Sequence, residues 1–190
     1  IIAERGLSLD KVVAFDMGGT TTKVSLISSG QPQLTSSLEV AREHKHRLGS
    51  GLTIRIPSIE LLEIGAGGGS IVGVDEMGLL TLGPESAGAD PGPACYGLGG
   101  TDATVTDANL LLGYLTEESP LAGGLKIHKA LAASSLELTG KHAEITAYAT
   151  AQRVRRLATE NLAQAIHLHV TSMGDDPREY DLVAFGGAAP

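Results

Sequence analysis

The chain has 190 residues, 42% of them hydrophobic and 19% charged, with a formal net charge of -8. That length supports a real core, and the sign of the charge argues against a nucleic-acid or anionic-membrane partner. Cys95 is the only cysteine, which excludes an intrachain disulfide and suits a reducing compartment such as the cytoplasm. No apolar run approaches the roughly 20 residues of a membrane span, and no basic-then-apolar leader opens the chain. A start at Ile1 and a stop in "AFGGAAP", just after a strand has turned, lead us to expect a piece of a longer protein.

In chain order, "VVAF" (Val12 to Phe15) is a continuous apolar run of the kind buried on both faces of a sheet. Lys23 to Ile27 alternates after a short turn, so the two predict a hairpin. "PQLTSSLEVA" (Pro32 to Ala41) supplies a third strand. The basic clusters "REHKHR" (Arg42 to Arg47) and "RVRR" (Arg153 to Arg156) are short and lack interleaved aromatics, which reads as solvated faces. His44 and His46 would share a face of a strand, but only Glu43 accompanies them at a ligand spacing.

"SIELLEI" and "SIVGVD" then flank the glycine run "GAGGGS" (Gly65 to Ser70), and "GLLTLG" adds a short strand. Glycine, at 25 of 190, is close to twice its usual share of about 7%. It gathers after Asp16, in that run, and in the segment Gly83 to Ala108, which is longer than structureless connectors usually are and predicts an ordered surface loop with a function. "TVTDANLLLGYL" starts a helix near Thr106 or Asp107, with an apolar face of Leu110, Leu111 and Tyr114. Ala147, Ala151, Val154, Ala158, Leu162, Ala165 and His169 recur at helical spacing. Gly174 stands where a helix-ending glycine belongs, and Pro177 lies beyond it. "YDLVAFGGAAP" returns as a strand and a glycine turn, which completes an α/β layout.

Chemistry concentrates at "FDMGGTTTK". A phosphate at a strand end needs nearby backbone N–H donors, which Gly18 and Gly19 permit. Hydroxyls of Thr20, Thr21 and Thr22 add donors. Asp16 cannot touch phosphate directly, so it would hold Mg²⁺ or orient an attacking group. The alternative is a tight hairpin turn in which Asp16 accepts turn N–H bonds. Other nucleotide motifs fail: "TGKH" (Thr139 to His142) lacks the hydroxyl residue and upstream glycine of a P-loop. The run at Gly65 breaks the dinucleotide spacing at Ser70 and precedes a strand, where that fold needs a helix.

"FDMGGTTTKVSLI", "EIGAGGGSIVGVD", "GPESAGADPGPACYGLGGTDATVTDANLLLGYL" and "AFGGAAP", in this order, resemble the hydantoinase A / 5-oxoprolinase family, which includes acetone and acetophenone carboxylase subunits. The resemblance covers nearly all of Leu9 to Pro190. It implies a ribonuclease-H-like lobe of the actin, sugar kinase and Hsp70 superfamily, here the second ATPase lobe. Residues 1–190 would then be a single partial hydantoinase A-type domain with a mixed sheet, helices and an inserted Gly/Pro-rich segment at about 58–107. It further implies ATP and Mg²⁺ as cofactors, with "DMGGTT" as a phosphate loop and Gly186 and Gly187 lying against the nucleotide. ATP-dependent opening of a cyclic amide by carbonyl phosphorylation is the implied reaction, with ketone carboxylation or an actin-like, nucleotide-switched binding protein as alternatives. An N-terminal lobe absent from this sequence and a hydantoinase B-type subunit are the implied partners, in a hetero-oligomer. Many family members carry Asp where Lys23 stands; the lysine either contacts phosphate or starts the second strand facing solvent. Asp90, Asp102, Asp107 and Asn109 are candidates for substrate or partner contacts, and Cys95 is either a nucleophile or a buried structural thiol. His167 and His169, two apart on a helix, point away from each other as surface or interface residues.

Overall fold

The computed structural model of the chain describes residues 9–40, 51–118, 120–141 and 143–188. Strands β1 (Lys11–Met17) and β2 (Thr22–Ser28) form the expected hairpin, in register from Lys11 opposite Ser28 to Met17 opposite Thr22. The predicted third strand breaks into β3 (Gln31–Pro32), β4 (Leu34–Thr35) and β5 (Leu38–Val40), and only β3 stays on β2. β5 pairs with β6 (Leu52–Ile54), and β4 pairs with β7 (Ser58–Ile59). β8 (Leu62–Ile64) returns to the main sheet beside Thr22 to Val24. Arg42 to Arg47, with His44 and His46, lie outside the described residues.

β9 (Ser70–Val74) and β10 (Leu80–Ser86) make an antiparallel ribbon whose register shifts between Leu82 and Ser86. Helices α1 (Val105–Leu112), α2 (Lys129–Lys141) and α3 (Ala147–Ser172) follow, and β11 (Asp181–Phe185) runs parallel to β1 at the sheet edge. The architecture is a mixed α/β fold on a five-stranded mixed sheet, ordered β11-β1-β2-β3 with β8 also on β2. α1 starts where expected, with Thr106 and Asp107 in its first turn and Thr104 as its cap. Tyr114 lies past its end, exposed, beneath the guanidinium of Arg155 at 3.7 Å. Gly174 does end α3, with φ +86 in the left-handed region.

α2 was not predicted. Its buried stripe of Ala132, Ser135, Leu136 and Gly140 is narrow and made largely of small residues, while Leu131 and Leu138 are exposed and blur the period. Smallness at Gly140 has a packing reason: an added Cβ would collide with the Thr150 hydroxyl and the Ile145 carbonyl where α2 meets α3.

The core joins Val13, Phe15, Met17, Val24 and Leu26 from the sheet to Val72, Val105, Ala108, Leu136, Val154 and Leu162 from the ribbon and helices. At the start of β1, Lys11 Nζ bridges Asp175 at 3.2 Å and Glu179 at 2.7 Å, which pins the turn that feeds β11. No helix among the described residues is long and apolar enough to cross a membrane.

His169, expected at a surface or interface, is instead buried in the last turn of α3, and its Nε2 has no hydrogen-bond partner among the described residues. Burial holds its pKa below the ordinary 6.5, opposed by the nearby Glu60 carboxylate. A folded-state pKa below the unfolded value means that the unfolded chain takes up the proton first. The stability contribution is therefore complete above about pH 6.5 and is lost as pH falls below it through the lower folded-state value. Urea denaturation at about pH 7.5 and pH 5.5 is expected to show a smaller loss for His169→Leu than for the unmodified chain; equal losses would remove His169 as a cause.

Candidate active site

β1 alternates. Val13, Phe15 and Met17 enter the core, so Ala14 and Asp16 belong to the opposite set and lie half-buried. Parallel pairing places Asp16 beside Phe185, so the reversals that follow β1 and β11 adjoin. Gly186 is the point of contact, with φ +101 and an added Cβ falling 2.5 Å from Asp16 Oδ1 and 2.8 Å from Met17 N. The Ala188 amide donates to the Met17 carbonyl at 3.0 Å and closes the junction. Asp16 therefore sits between Gly18–Gly19 and Gly186–Gly187.

The turn is not held by Asp16. Gly18 N–H donates to the Thr21 carbonyl at 3.0 Å, and the Asp16 carboxylate makes no hydrogen bond or ion pair with the described residues. The alternative in which Asp16 accepts turn amides is thus not realised. Gly18 and Gly19 do not need positive φ either, and an added Cβ at Gly19 would meet nothing within 4 Å.

The glycine run Gly65 to Ser70 packs on the hairpin turn. Gly68 N–H donates to Gly18 O at 3.0 Å and Gly69 N–H to Gly19 O at 2.6 Å. Thr106 grips the run from behind, its amide and its hydroxyl each 2.8 Å from Gly68 O. Sequence reasoning rejected the run as a dinucleotide loop without seeing this role; the contact joins residues about fifty apart in the chain and leaves no local pattern. Thr20 is exposed at the tip and Thr21 is half-buried. Thr22 departs from expectation, because it is fully buried and its hydroxyl donates to Ala66 O at 2.7 Å. It braces the loop from inside, so phosphate contact falls to its neighbours. Lys23 takes the solvent-facing option, half-exposed, with Nζ 3.1 Å from the Thr21 hydroxyl and 3.7 Å from Glu63.

The long Gly/Pro segment is a surface loop only in part, with Asp90, Pro91, Gly97 to Gly99, Thr101 and Asp102 exposed. Gly92 to Cys95 and Ala103 to Ala108 are buried, and an added Cβ at Gly100 would collide with the Gly92 carbonyl. Asp107 is fully buried; its carboxylate accepts from Thr104 N at 2.9 Å, Thr104 Oγ1 at 2.7 Å and Cys95 N at 2.7 Å. This is a capping box with an added tether. It corrects the expectation of a substrate contact at Asp107, since every bond it makes is internal. Asn109 is corrected likewise, being buried and accepting from Arg155 Nη1 at 3.1 Å. Burial, with the Asp107 charge added, pushes the Cys95 thiol far up from its ordinary range, which decides for the structural thiol over the nucleophile. Asp90 is exposed, and Asp102 lines a groove between the β9–β10 ribbon and α2 with Asp75, Glu76 and Thr139. Neither joins the Asp16 cluster.

The sequence profile of the hydantoinase/oxoprolinase family matches residues 2–190. An uncharacterized protein of Methanocaldococcus jannaschii is 46% identical over 97% of this chain and 27% of its own length. Caprolactamase subunit alpha of Pseudomonas jessenii is 37% identical over 95% of this chain and 25% of its length. The acetophenone carboxylase gamma subunit of Aromatoleum aromaticum is 36% identical over 97% and 24%. The crystal structure of the ATP-dependent caprolactamase from P. jessenii superposes with a TM-score of 0.80 at 33% identity, covering 97% of this chain and 26% of that one. The chain thus spans about a quarter of the length of the relatives it matches.

Since Asp107 is fully buried and bonded on both oxygens, Asp107→Ala strands three donors and loosens both the α1 cap and the Cys95 tether. A loss of about 2–4 kcal/mol in urea denaturation is expected. A change below about 0.5 kcal/mol, the range of ordinary surface substitutions, would contradict this structural role.

Proposed function

The chain belongs to the hydantoinase/oxoprolinase family, and on that premise we propose that it is part of the nucleotide-binding region of an ATP-dependent enzyme that opens cyclic amides. The observation that carries this reading is the half-buried Asp16 carboxylate, unbonded within the described chain and flanked on both sides by glycine turns. A carboxylate in such a place is a hard oxygen donor of the type Mg²⁺ takes. Glycine at Gly18 and Gly19 leaves room for close approach by a polyphosphate.

On this reading Asp16 holds the metal or orients the attacking group. The amides of Gly19 and Thr20, the hydroxyls of Thr20 and Thr21, and Gly18 line the phosphate side. Gly186 and Gly187 lie toward the nucleoside. Lys23, tethered by Glu63, adds positive charge beside Thr21. Bound ATP would activate the carbonyl oxygen of an unreactive amide, correcting its weakness as an electrophile. The protein's share is positioning and charge neutralisation.

We assign the fold to a ribonuclease-H-like lobe of the actin, sugar kinase and Hsp70 superfamily, supported by the antiparallel β1–β2–β3 path with β11 added parallel to β1. Such a lobe closes on ATP with a second one. A B-type subunit completes the enzyme, a reading supported by relatives that are themselves named as subunits. The specific substrate class we favour is a lactam or hydantoin, on the 37% identity to a caprolactamase subunit. The acetophenone carboxylase relative supports ketone carboxylation as the second reading; bicarbonate-dependent ATP consumption with a ketone distinguishes the two.

Asp16→Asn keeps the shape and removes the charge. In the full-length protein with MgATP and a cyclic amide, kcat is expected to fall about 100-fold or more while MgATP affinity changes less than about threefold. Equal losses in both would make Asp16 a binding or structural residue.

A further inference from the structure

We propose that the buried run Gly67–Gly69 is the positioning element of the phosphate loop, and that it works by aiming the amides of Gly19 and Thr20 outward. This deepens the nucleotide reading above and rests on it. In a trans peptide the carbonyl and the amide hydrogen of one plane point in opposite directions. The described cis bonds lie only before Pro84 and Pro91, so the planes at Gly18–Gly19 and Gly19–Thr20 are trans. Gly18 O accepts from Gly68 N–H, which turns the amide of the same plane, that of Gly19, away from the run. Gly19 O accepts from Gly69 N–H, which turns the Thr20 amide away likewise. Two consecutive N–H groups therefore face out of the exposed tip, where neither bonds to a described residue. Successive outward amides form an anion-binding concavity.

The run is fitted for this task by its lack of side chains. A Cβ at Gly67 would stand 2.6 Å from Gly18 O and 2.7 Å from Gly19 O; one at Gly69 would stand 3.0 Å from Gly19 O. The first would push both planes off their partners, and the second would displace the Gly19–Thr20 plane. The run is itself fixed, since Gly67 N–H donates to the Ser70 hydroxyl at 2.9 Å, Thr106 donates twice to Gly68 O, and Ala87 N–H donates to Gly69 O at 2.8 Å. The aim of the two amides is thereby set by α1 and the residue that follows β10, not by the loop's own sequence.

Calorimetric titration of the full-length protein with inorganic pyrophosphate, MgATP and adenosine tests this. Gly67→Ala is expected to weaken pyrophosphate and MgATP at least tenfold and to leave adenosine within twofold. Gly69→Ala is expected to act in the same direction with a smaller loss. Unchanged pyrophosphate affinity in a folded Gly67→Ala or Gly69→Ala protein would overturn the proposal, as would an equal loss for adenosine. If Gly67→Ala does not fold, Gly69→Ala decides, because the nearest atom to its new Cβ is the hydroxyl of Ser86 at 2.9 Å. An unmodified protein that binds pyrophosphate but not MgATP would sink the nucleotide reading and leave the aimed amides standing; one that binds neither overturns both.

Discussion

Parallel pairing of β1 with β11 is the constraint on which the rest depends. Two parallel strands cannot be joined by a tight turn, so the chain must travel between them by a crossover. Here that crossover includes the β9–β10 ribbon and all three helices, ending with α3, 26 residues long. The pairing brings the strand ends together at Asp16 and Gly186, while Lys11, Asp175 and Glu179 fix the opposite end. Those ion pairs are partly solvent-exposed, so their value lies in register more than in energy.

The crossover also fixes the site from behind. Thr106 at the start of α1 holds Gly68, which holds Gly18; Asp107, the next residue, holds Thr104 and Cys95. A single helix start thus anchors both the glycine run under the hairpin turn and the Gly/Pro strap that leads into the helix. Buried polar groups of this kind are tolerated because each is satisfied, and a satisfied network specifies one arrangement. The strap's glycines serve closeness: a Cβ at Gly100 would collide with the Gly92 carbonyl, and one at Gly92 with the Tyr96 ring.

What was legible in the sequence was local. The β1–β2 hairpin, α3, its Gly174 terminus and the final strand each follow from a periodicity or a stop signal within a few residues. What was not legible depended on distant partners. β8 joins β2 across some forty residues, and α2 hides because its buried face is built from Ala, Ser and Gly packed against α3. Thr22 and Asp107 have the chemistry of site residues, and only their partners, Ala66 and Thr104 with Cys95, show them to be braces. Asp16 stood out in the sequence because it ends an apolar run just before two glycines and three threonines.

The glycines fall into two groups by what a side chain would meet. At Gly67, Gly69 and Gly186 an added Cβ would run into the chain itself, so the fold requires them. At Gly19 it would meet nothing within 4 Å, and at Gly18 only the Thr21 carbonyl at an ordinary 3.5 Å, with neither residue in the left-handed region. The folded chain places no demand for glycine at those two positions. Glycine's freedom for positive φ is not used at either position, which leaves its lack of a Cβ. Their smallness bears on the space outside the loop, on the side to which the Gly19 and Thr20 amides are turned. On the proposed reading that space belongs to phosphate, and the two groups divide the work: the buried glycines bring the backbone planes into contact, and the exposed pair keeps the approach to them clear.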